Sequence, residues 1–325
     1  MELLQAAHYH AQALAGEARA SSTRDRYAQI EGAFIRYVSA DRGQPATLAD
    51  LTVTTVRRFL VWAAETPATL AGGREATRGP ATLALYATVL RAWSRLLARE
   101  WPELFAKGDP LANLRIPHVP SQPVEVLSRQ QFDLLVAHAA ITQRPLRDRA
   151  LLLFLADTGI RLSELCALTT ERLELAGGQH SGRARIESGK GGKSRFVYFG
   201  ALTSKALYRY LQLERARHPR PVAQLFLGRT GEGICPDTIQ KLLTSLGKQA
   251  GIRNVRCSPH TLRHTFATWF LQANPGQLEQ LRQLLGHADL KMVLVYAKLT
   301  DADVAEQYRS PVDAFQRGTA VRRAG

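Results

Sequence analysis

The protein has 325 residues, 45% of them hydrophobic, which is enough for two domains that each bury a core. Its formal net charge of +15 is concentrated after residue 120, and a basic excess of this size favours a polyanionic partner such as nucleic acid. The three cysteines form no C-x-x-C pair, which argues against a disulfide framework or a zinc ribbon. The apolar runs are too short to span a bilayer. We therefore expect a cytoplasmic protein with no membrane partner.

The first part of the chain is predicted to form a small all-helical domain over residues 1–115. Apolar side chains recur at helical spacing within residues 22–40, at Tyr27, Ile30, Phe34 and Tyr37. Similar patterns predict helices over residues 53–65 and 80–97. No strand pattern is present in this part, and because the stretch before Ser22 is short, we expect no further N-terminal domain there.

Residues 116–125 are predicted to be an extended linker, because they contain three prolines that disfavour helix: Pro117, Pro120 and Pro123. A second domain, residues 126–325, follows this linker. Its first helix is marked by a capping-box pattern inside a hydrophobic staple: Ser128 and Gln131, flanked by Leu127 and Phe132.

The second domain is predicted to be mainly helical with one small β-hairpin. Helical patterns cover residues 146–157 and 162–173 and resume from Leu202 onwards, where prolines interrupt them. Two alternating stretches, residues 183–187 and 195–199, flank a glycine-rich turn and predict an antiparallel hairpin with a basic tip. The whole chain is therefore expected to be a mainly α protein of two domains with a small β-sheet.

Two cations lie at turns between predicted elements of the second domain. Arg161 follows Gly159 at the entry to a helix, and an arginine buried there needs a partner, either Glu164 one turn later or an anion. Lys190 lies in the glycine-rich tip of the hairpin, where it is either a solvated turn residue or a mobile cation that reaches a ligand.

Two further clusters contain histidines. His260 and Arg263 are three residues apart on one face of a predicted helix, near its start, where phosphate groups bind well. His264 completes the spacing of a zinc pair with His260, but Thr261 stands where a zinc-protease helix has its glutamate, so no metal site is expected. Further along, His287 precedes an apolar helical run that contains Tyr296, although a tyrosine in such a run is more often a core residue than a nucleophile.

Taken together, the clusters resemble the active-site motifs of the tyrosine recombinase, or phage integrase, family. Six residues match that pattern in order and separation: Arg161, Lys190, His260, Arg263, His287 and Tyr296. The resemblance covers nearly the whole chain, because the N-terminal helical part is similar to the family's core-binding domain and the rest to its catalytic domain. It implies a C-shaped clamp of two domains that grips duplex DNA.

The resemblance also implies how the reacting groups are used. Tyr296 would attack the scissile phosphate to form a 3′-phosphotyrosyl bond that conserves the energy for religation, without ATP, metal or another cofactor. Because the tyrosine hydroxyl is protonated at neutral pH, His260 would remove its proton. Lys190 would protonate the departing 5′ oxygen.

The remaining candidates would stabilise charge at phosphorus. Arg161 and Arg263 would each hold non-bridging phosphate oxygens in a bidentate fork. His287 would add a hydrogen bond to the phosphate, and Glu164 would orient a neighbouring side chain rather than react.

The implied partners are double-stranded DNA, near the nucleoid, and other protomers that form a homo- or heterotetramer on two DNA sites. Two alternatives use a similar set of residues or the same fold: a type IB topoisomerase, which acts alone, and a DNA-binding module that has lost catalysis. The sequence favours a Xer-like resolvase or a simple mobile-element integrase. It leaves open which of these two tasks is performed and whether a second recombinase or an accessory protein takes part.

Overall fold

A computed structural model describes residues 1–17, 19–69, 75–120, 124–175, 182–187, 194–219 and 222–286 of the chain. By its internal contacts the chain divides into two compact units, Met1–Gln122 and Pro123–Gly325. No helix among the described residues is long and apolar enough to cross a membrane.

The described residues of the first unit form four α-helices around one core. Their bounds are Leu3–Gly16 (α1), Ser21–Arg42 (α2), Val53–Glu65 (α3) and Pro80–Glu100 (α4). The three helices that the sequence predicts here are confirmed as α2, α3 and α4. Their apolar faces meet in a core that includes Phe34, Phe59 and the fully buried Trp93.

The expectation that the first unit contains only helices is wrong in one detail. Ala68–Thr69 (β1) and Glu75–Ala76 (β2) form a short antiparallel ladder between α3 and α4. Two residues a strand are too few to produce a period-two pattern in the sequence.

Helix α1 is an addition that the sequence does not predict. Its buried face includes Ala6 and His10, which give little apolar periodicity. Contacts from other helices hold it instead: the Trp93 indole N–H donates to the Ala6 carbonyl at 3.3 Å, and the buried His10 Nδ1 lies 2.6 Å from the Glu31 carboxylate.

The second unit contains seven described helices. They are Arg129–Ala139 (α5), Pro145–Thr158 (α6), Leu162–Ala167 (α7), Ala201–Leu213 (α8), Pro236–Gln249 (α9), Pro259–Ala273 (α10) and Leu278–Leu285 (α11). The predicted capping box of Ser128 and Gln131 is confirmed at the start of α5. Helix α7 ends earlier than the predicted limit of residue 173, because the chain turns into a 3-10 helix at Thr170–Arg172 and then a strand.

One antiparallel sheet accompanies these helices. Leu173–Glu174 (β3), Gly182–Ile186 (β4) and Arg195–Phe199 (β5) lie in the order β3-β4-β5. The predicted pairing of the two alternating stretches is confirmed in β4 and β5, with the first strand starting and ending one residue earlier than expected. The inner face of the sheet packs on α6, whose Leu151, Phe154 and Leu155 are buried at the centre of the unit.

Candidate active site

The turn between α6 and α7 positions the first candidate, Arg161. Gly159 ends α6 with φ of 57°, and a Cβ atom at this residue would lie 2.2 Å from the Phe266 ring. Only glycine fits both the left-handed backbone and this close approach. The chain then reverses, so that Arg161 becomes the N-cap of α7 with its side chain 45% exposed.

The start of α10 positions the second pair, His260 and Arg263. Ser258 caps the helix, accepting a hydrogen bond from the Thr261 N–H at 3.2 Å, which fixes the first turn that carries His260. The same helix is tied to the start of α5, where the Leu127 N–H donates to the Thr265 hydroxyl at 2.9 Å.

Three arginines from three separate elements bind three successive carbonyls at the C-terminus of α11. Arg195 Nε donates to the Leu284 carbonyl at 2.8 Å, Arg263 Nη2 to the Leu285 carbonyl at 2.8 Å, and Arg161 Nη2 to the Gly286 carbonyl at 2.9 Å. The last carbonyls of a helix have no partner within it and lie at its negative end, so cations stabilise them. We call these three side chains the arginine triad.

Glu164 lies against two members of the triad. Its carboxylate accepts two hydrogen bonds from Arg195, at 2.9 and 2.8 Å, and two from Arg161, at 3.1 Å from the guanidinium and 2.8 Å from the backbone N–H. Burial by itself raises the pKa of Glu164, but these hydrogen bonds and the positive charges of both arginines outweigh it and hold the pKa below its ordinary value. Glu164 is therefore a carboxylate at neutral pH.

Spacing in the sequence indicates Glu164 as a partner for Arg161, but it does not indicate that Arg195 also binds Glu164. A signal for it was present in the hairpin pattern. Side chains on one face of a strand alternate, so Arg195 shares the inner face of β5 with Val197 and Phe199, both buried. An arginine at a core-facing strand position needs a specific acidic partner.

The two histidines of α10 differ in their surroundings. His260 is exposed, at the second residue of the helix. His264, one turn further, is half-buried, and burial, helped by the charges of His260 and Arg263, holds its pKa below the ordinary value. His264 is thus kept neutral beside the candidate site, whereas His260 faces solvent.

The structure brings together part of the predicted set. Arg161, Arg263 and Glu164 converge on the end of α11, and His260 lies on the helix that supplies Arg263. Of the two partners expected for Arg161, the structure contains the intramolecular one, Glu164, while the guanidinium stays partly exposed. Three predicted residues lie outside the residues that the structure describes: Lys190, His287 and Tyr296.

One family model matches most of the second unit. It is the phage integrase family, and the match covers residues 125–303. Among curated proteins, tyrosine recombinase XerD of Listeria monocytogenes is 30% identical over 244 residues, which make up 74% of this chain and 79% of that protein.

Two solved structures have a similar fold. The XerH site-specific recombinase bound to its difH substrate, in a pre-cleavage complex, aligns with a TM-score of 0.63 and 22% identity over 86% of this chain and 78% of its own. The Tn1549 transposon integrase, in complex with transposon right end DNA, aligns with a TM-score of 0.66 and 16% identity over 100% of both chains. At these identities the likeness concerns the fold, which is mainly helical with a small antiparallel sheet.

Proposed function

The chain belongs to the phage integrase family and is a site-specific DNA recombinase, and on this premise we propose that it cuts and rejoins DNA through a covalent bond to Tyr296. The phenolic oxygen attacks the scissile phosphorus, the 5′ oxygen leaves, and a 3′-phosphotyrosyl bond forms. The 5′ hydroxyl of another strand then attacks the same phosphorus and displaces the tyrosine. Because the phosphotyrosyl bond conserves the energy of the phosphodiester, rejoining needs no ATP.

The convergence of two guanidiniums at the end of α11 carries this proposal. Arg161 and Arg263 come from different helices, yet they bind adjacent carbonyls, those of Gly286 and Leu285. His287 is the next residue in the sequence. Guanidiniums hold phosphate oxygens in a planar fork and stabilise the negative charge that grows around phosphorus during attack. The two guanidiniums, whose positive charges more than offset the negative end of α11, thus provide a suitable place for the scissile phosphate.

Two proton transfers complete the reaction. The hydroxyl of Tyr296, with a reference pKa of about 10, must lose its proton, and His260, the exposed residue in the first turn of α10, takes it. Lys190 gives a proton to the 5′ oxygen as it leaves. His287 donates a hydrogen bond to the phosphate, and Glu164 orients Arg161 without touching the substrate.

We propose duplex DNA as the substrate, with residues 1–115 as a core-binding domain, 116–125 as a linker and 126–325 as the catalytic domain. The formal net charge of +15 supports a polyanionic partner. Recombination joins two DNA sites, each cut on both strands, so we propose a tetramer on the two sites, formed by this chain alone or with a second recombinase. Such a substrate places the protein at the nucleoid in the cytoplasm.

The test is the capture of the covalent adduct. The full chain is incubated with a pool of short random-sequence duplexes that carry nicks, so that the 5′-hydroxyl fragment diffuses away after cleavage and the adduct accumulates. We expect an adduct that survives denaturation, and sequencing its DNA identifies the cleaved site. Tyr296→Phe should bind the recovered duplex as well as the unaltered chain does but form no adduct, because only the attacking oxygen is lost.

Tyr208→Phe is the matched control, since Tyr208 is 58% exposed on α8, away from the arginine triad in sequence and in contacts. It should form the adduct at the unaltered rate. If Tyr296→Phe still formed the adduct, the nucleophile would be a residue other than Tyr296. The absence of any adduct with the unaltered chain, despite DNA binding, would contradict the proposed cleavage and favour a non-catalytic DNA-binding protein.

A further inference from the structure

Arg195 links three segments of the second unit through one guanidinium. Both Nη atoms bind the Glu164 carboxylate on α7, and Nε binds the Leu284 carbonyl at the end of α11. Its own backbone opens β5, five residues after Lys190 in the sequence. The side chain is only 14% exposed, so it is part of the framework beneath the site rather than a group that faces a ligand.

The neighbouring glycine leaves room for this guanidinium. Gly286 has φ of 70°, and a Cβ atom there would lie 2.7 Å from both Cζ and Nη1 of Arg195. The guanidinium therefore packs closely against the Gly286 backbone in addition to its one hydrogen bond to the Leu284 carbonyl. Any change in the position of Arg195 alters the backbone that leads into His287.

Glu164 transmits the position of Arg195 to Arg161. The same carboxylate oxygens accept hydrogen bonds from both arginines, Oε1 from each guanidinium and Oε2 from the Arg195 guanidinium and the Arg161 backbone. The Glu164 side chain is 10% exposed, so water cannot readily replace a lost partner. Without the Arg195 fork, Arg161 is the remaining charged partner of this carboxylate among the described residues, so the carboxylate draws that guanidinium towards itself.

We propose that Arg195 is a positioning residue for DNA cleavage: by holding Glu164 and the end of α11 together, it keeps the guanidinium of Arg161 directed at the scissile phosphate. This inference rests on the proposed function. Lysine cannot replace Arg195, because one ammonium group cannot reproduce a planar fork to a carboxylate together with a third hydrogen bond to a carbonyl.

The experiment compares Arg195→Lys with Arg183→Lys in the full chain. Arg183 is a matched control: it lies in the same sheet and pairs with Glu174 at 2.7 Å, but it is exposed and touches neither Glu164 nor α11. The measured quantity is the single-turnover rate of adduct formation on the nicked duplex recovered from the random pool. Because small displacements of a positioned group slow catalysis steeply, we expect Arg195→Lys to be slower by about 10- to 100-fold and Arg183→Lys to be unchanged. Affinity for the duplex should not change in either variant.

A second substrate separates positioning from general loss of structure. In this duplex one non-bridging oxygen of the scissile phosphate is replaced by a methyl group, which removes a negative charge that Arg161 would stabilise. The defect of Arg161→Ala should shrink on this substrate. If Arg195 acts through Arg161, the defect of Arg195→Lys should shrink as well, whereas a variant that is only partly folded is slow on both substrates by the same factor.

The outcomes distinguish this inference from the proposed function. If the methyl-substituted duplex reduces the rate defect of Arg161→Ala but not that of Arg195→Lys, the proposed role of Arg195 is overturned and that of Arg161 stands. Failure to relieve Arg161→Ala would overturn the phosphate role of Arg161 itself. An unchanged cleavage rate for Arg195→Lys on ordinary DNA would also overturn the inference, and a thermal unfolding measurement on each variant shows whether the fold is retained.

Discussion

Lys190 has the role with the most direct chemical test among single residues. If it protonates the 5′ oxygen as that oxygen leaves, Lys190→Ala should cleave ordinary DNA slowly while binding is little changed. Replacing the scissile 5′ oxygen by sulfur should restore the rate, because a thiolate is a far weaker base than an alkoxide and needs no proton donor. The measurement is the single-turnover cleavage rate on both duplexes.

Arg161→Ala provides the comparison for this prediction. It lacks charge stabilisation at phosphorus rather than a proton, so sulfur should not restore its rate to the same degree. If sulfur restored the cleavage rates of Lys190→Ala and Arg161→Ala equally, or did not restore that of Lys190→Ala, the proton donor would be another group. Lys193 and His260 would then be the next candidates.

For individual residues, the sequence predicts the pair of Arg161 and Glu164 better than it predicts the groups that surround this pair. The spacing of Arg161 and Glu164 on one helix made Glu164 one of the two partners expected for Arg161, and the structure contains that contact. Arg195 comes from a strand distant in sequence, and its partner depends on how the sheet packs on the helices, which local spacing does not contain. The carbonyls of α11 carry no side-chain signal at all, so their contacts with the arginine triad could not be predicted from residue types.

At the scale of helices and their connections, the turn that ends α6 requires glycine at residue 159, and a substitution there tests this requirement. Gly159→Ala places a Cβ in the left-handed region, which costs roughly 1–2 kcal/mol, and against the buried Phe266 ring, where overpacking adds roughly 1–3 kcal/mol. The free energy of unfolding should therefore fall by about 2–5 kcal/mol, measured by urea denaturation. Cleavage should slow as well, because the Gly159 carbonyl accepts a hydrogen bond from Arg263 at 2.6 Å.

Gly251→Ala separates the two contributions. Gly251 has φ of 69°, but no atom of another residue lies within 4 Å of the place that a Cβ would take, so only the backbone penalty of about 1–2 kcal/mol applies. Equal losses of stability in the two variants would mean that the Phe266 ring moves aside at little cost.

The elements that were predicted correctly are those whose sequence pattern matches their packing. Helices α2 to α5 each present an apolar face to a core, and α5 adds a capping box, whereas α6 is a mainly apolar run that is buried on most of its sides. Helix α1 was missed because its docking depends on a buried His10–Glu31 contact and on small residues. The residues around α7 were assigned too long a helix because Leu168 and Leu173 continue the apolar spacing, although the chain there turns to begin the sheet.

For the protein as a whole, the formal net charge of +15 predicts how DNA binding responds to salt. Each phosphate neutralised by lysine or arginine releases condensed counterions, so with about six or more such contacts the affinity should fall by about 1000-fold or more between about 50 and 200 mM salt. Fluorescence anisotropy with the recovered duplex measures this slope. Raising the concentration of an uncharged solute to the same osmolality should have little effect, and a flat response to salt would contradict binding through phosphate contacts.

The arginine triad also determines when during synthesis the site can form. Arg161 precedes its partner Gly286 by 125 residues, and Arg195 precedes Leu284 by 89 residues. At a translation rate of about 5–20 residues per second, Arg161 leaves the ribosome roughly 6 to 25 seconds before its carbonyl partner does. Contacts of such long sequence separation form late in folding, since the intervening chain must first be ordered. The guanidiniums are thus aligned only once α11 has docked, and a nascent recombinase that already attracts DNA through its charge remains unable to cut it.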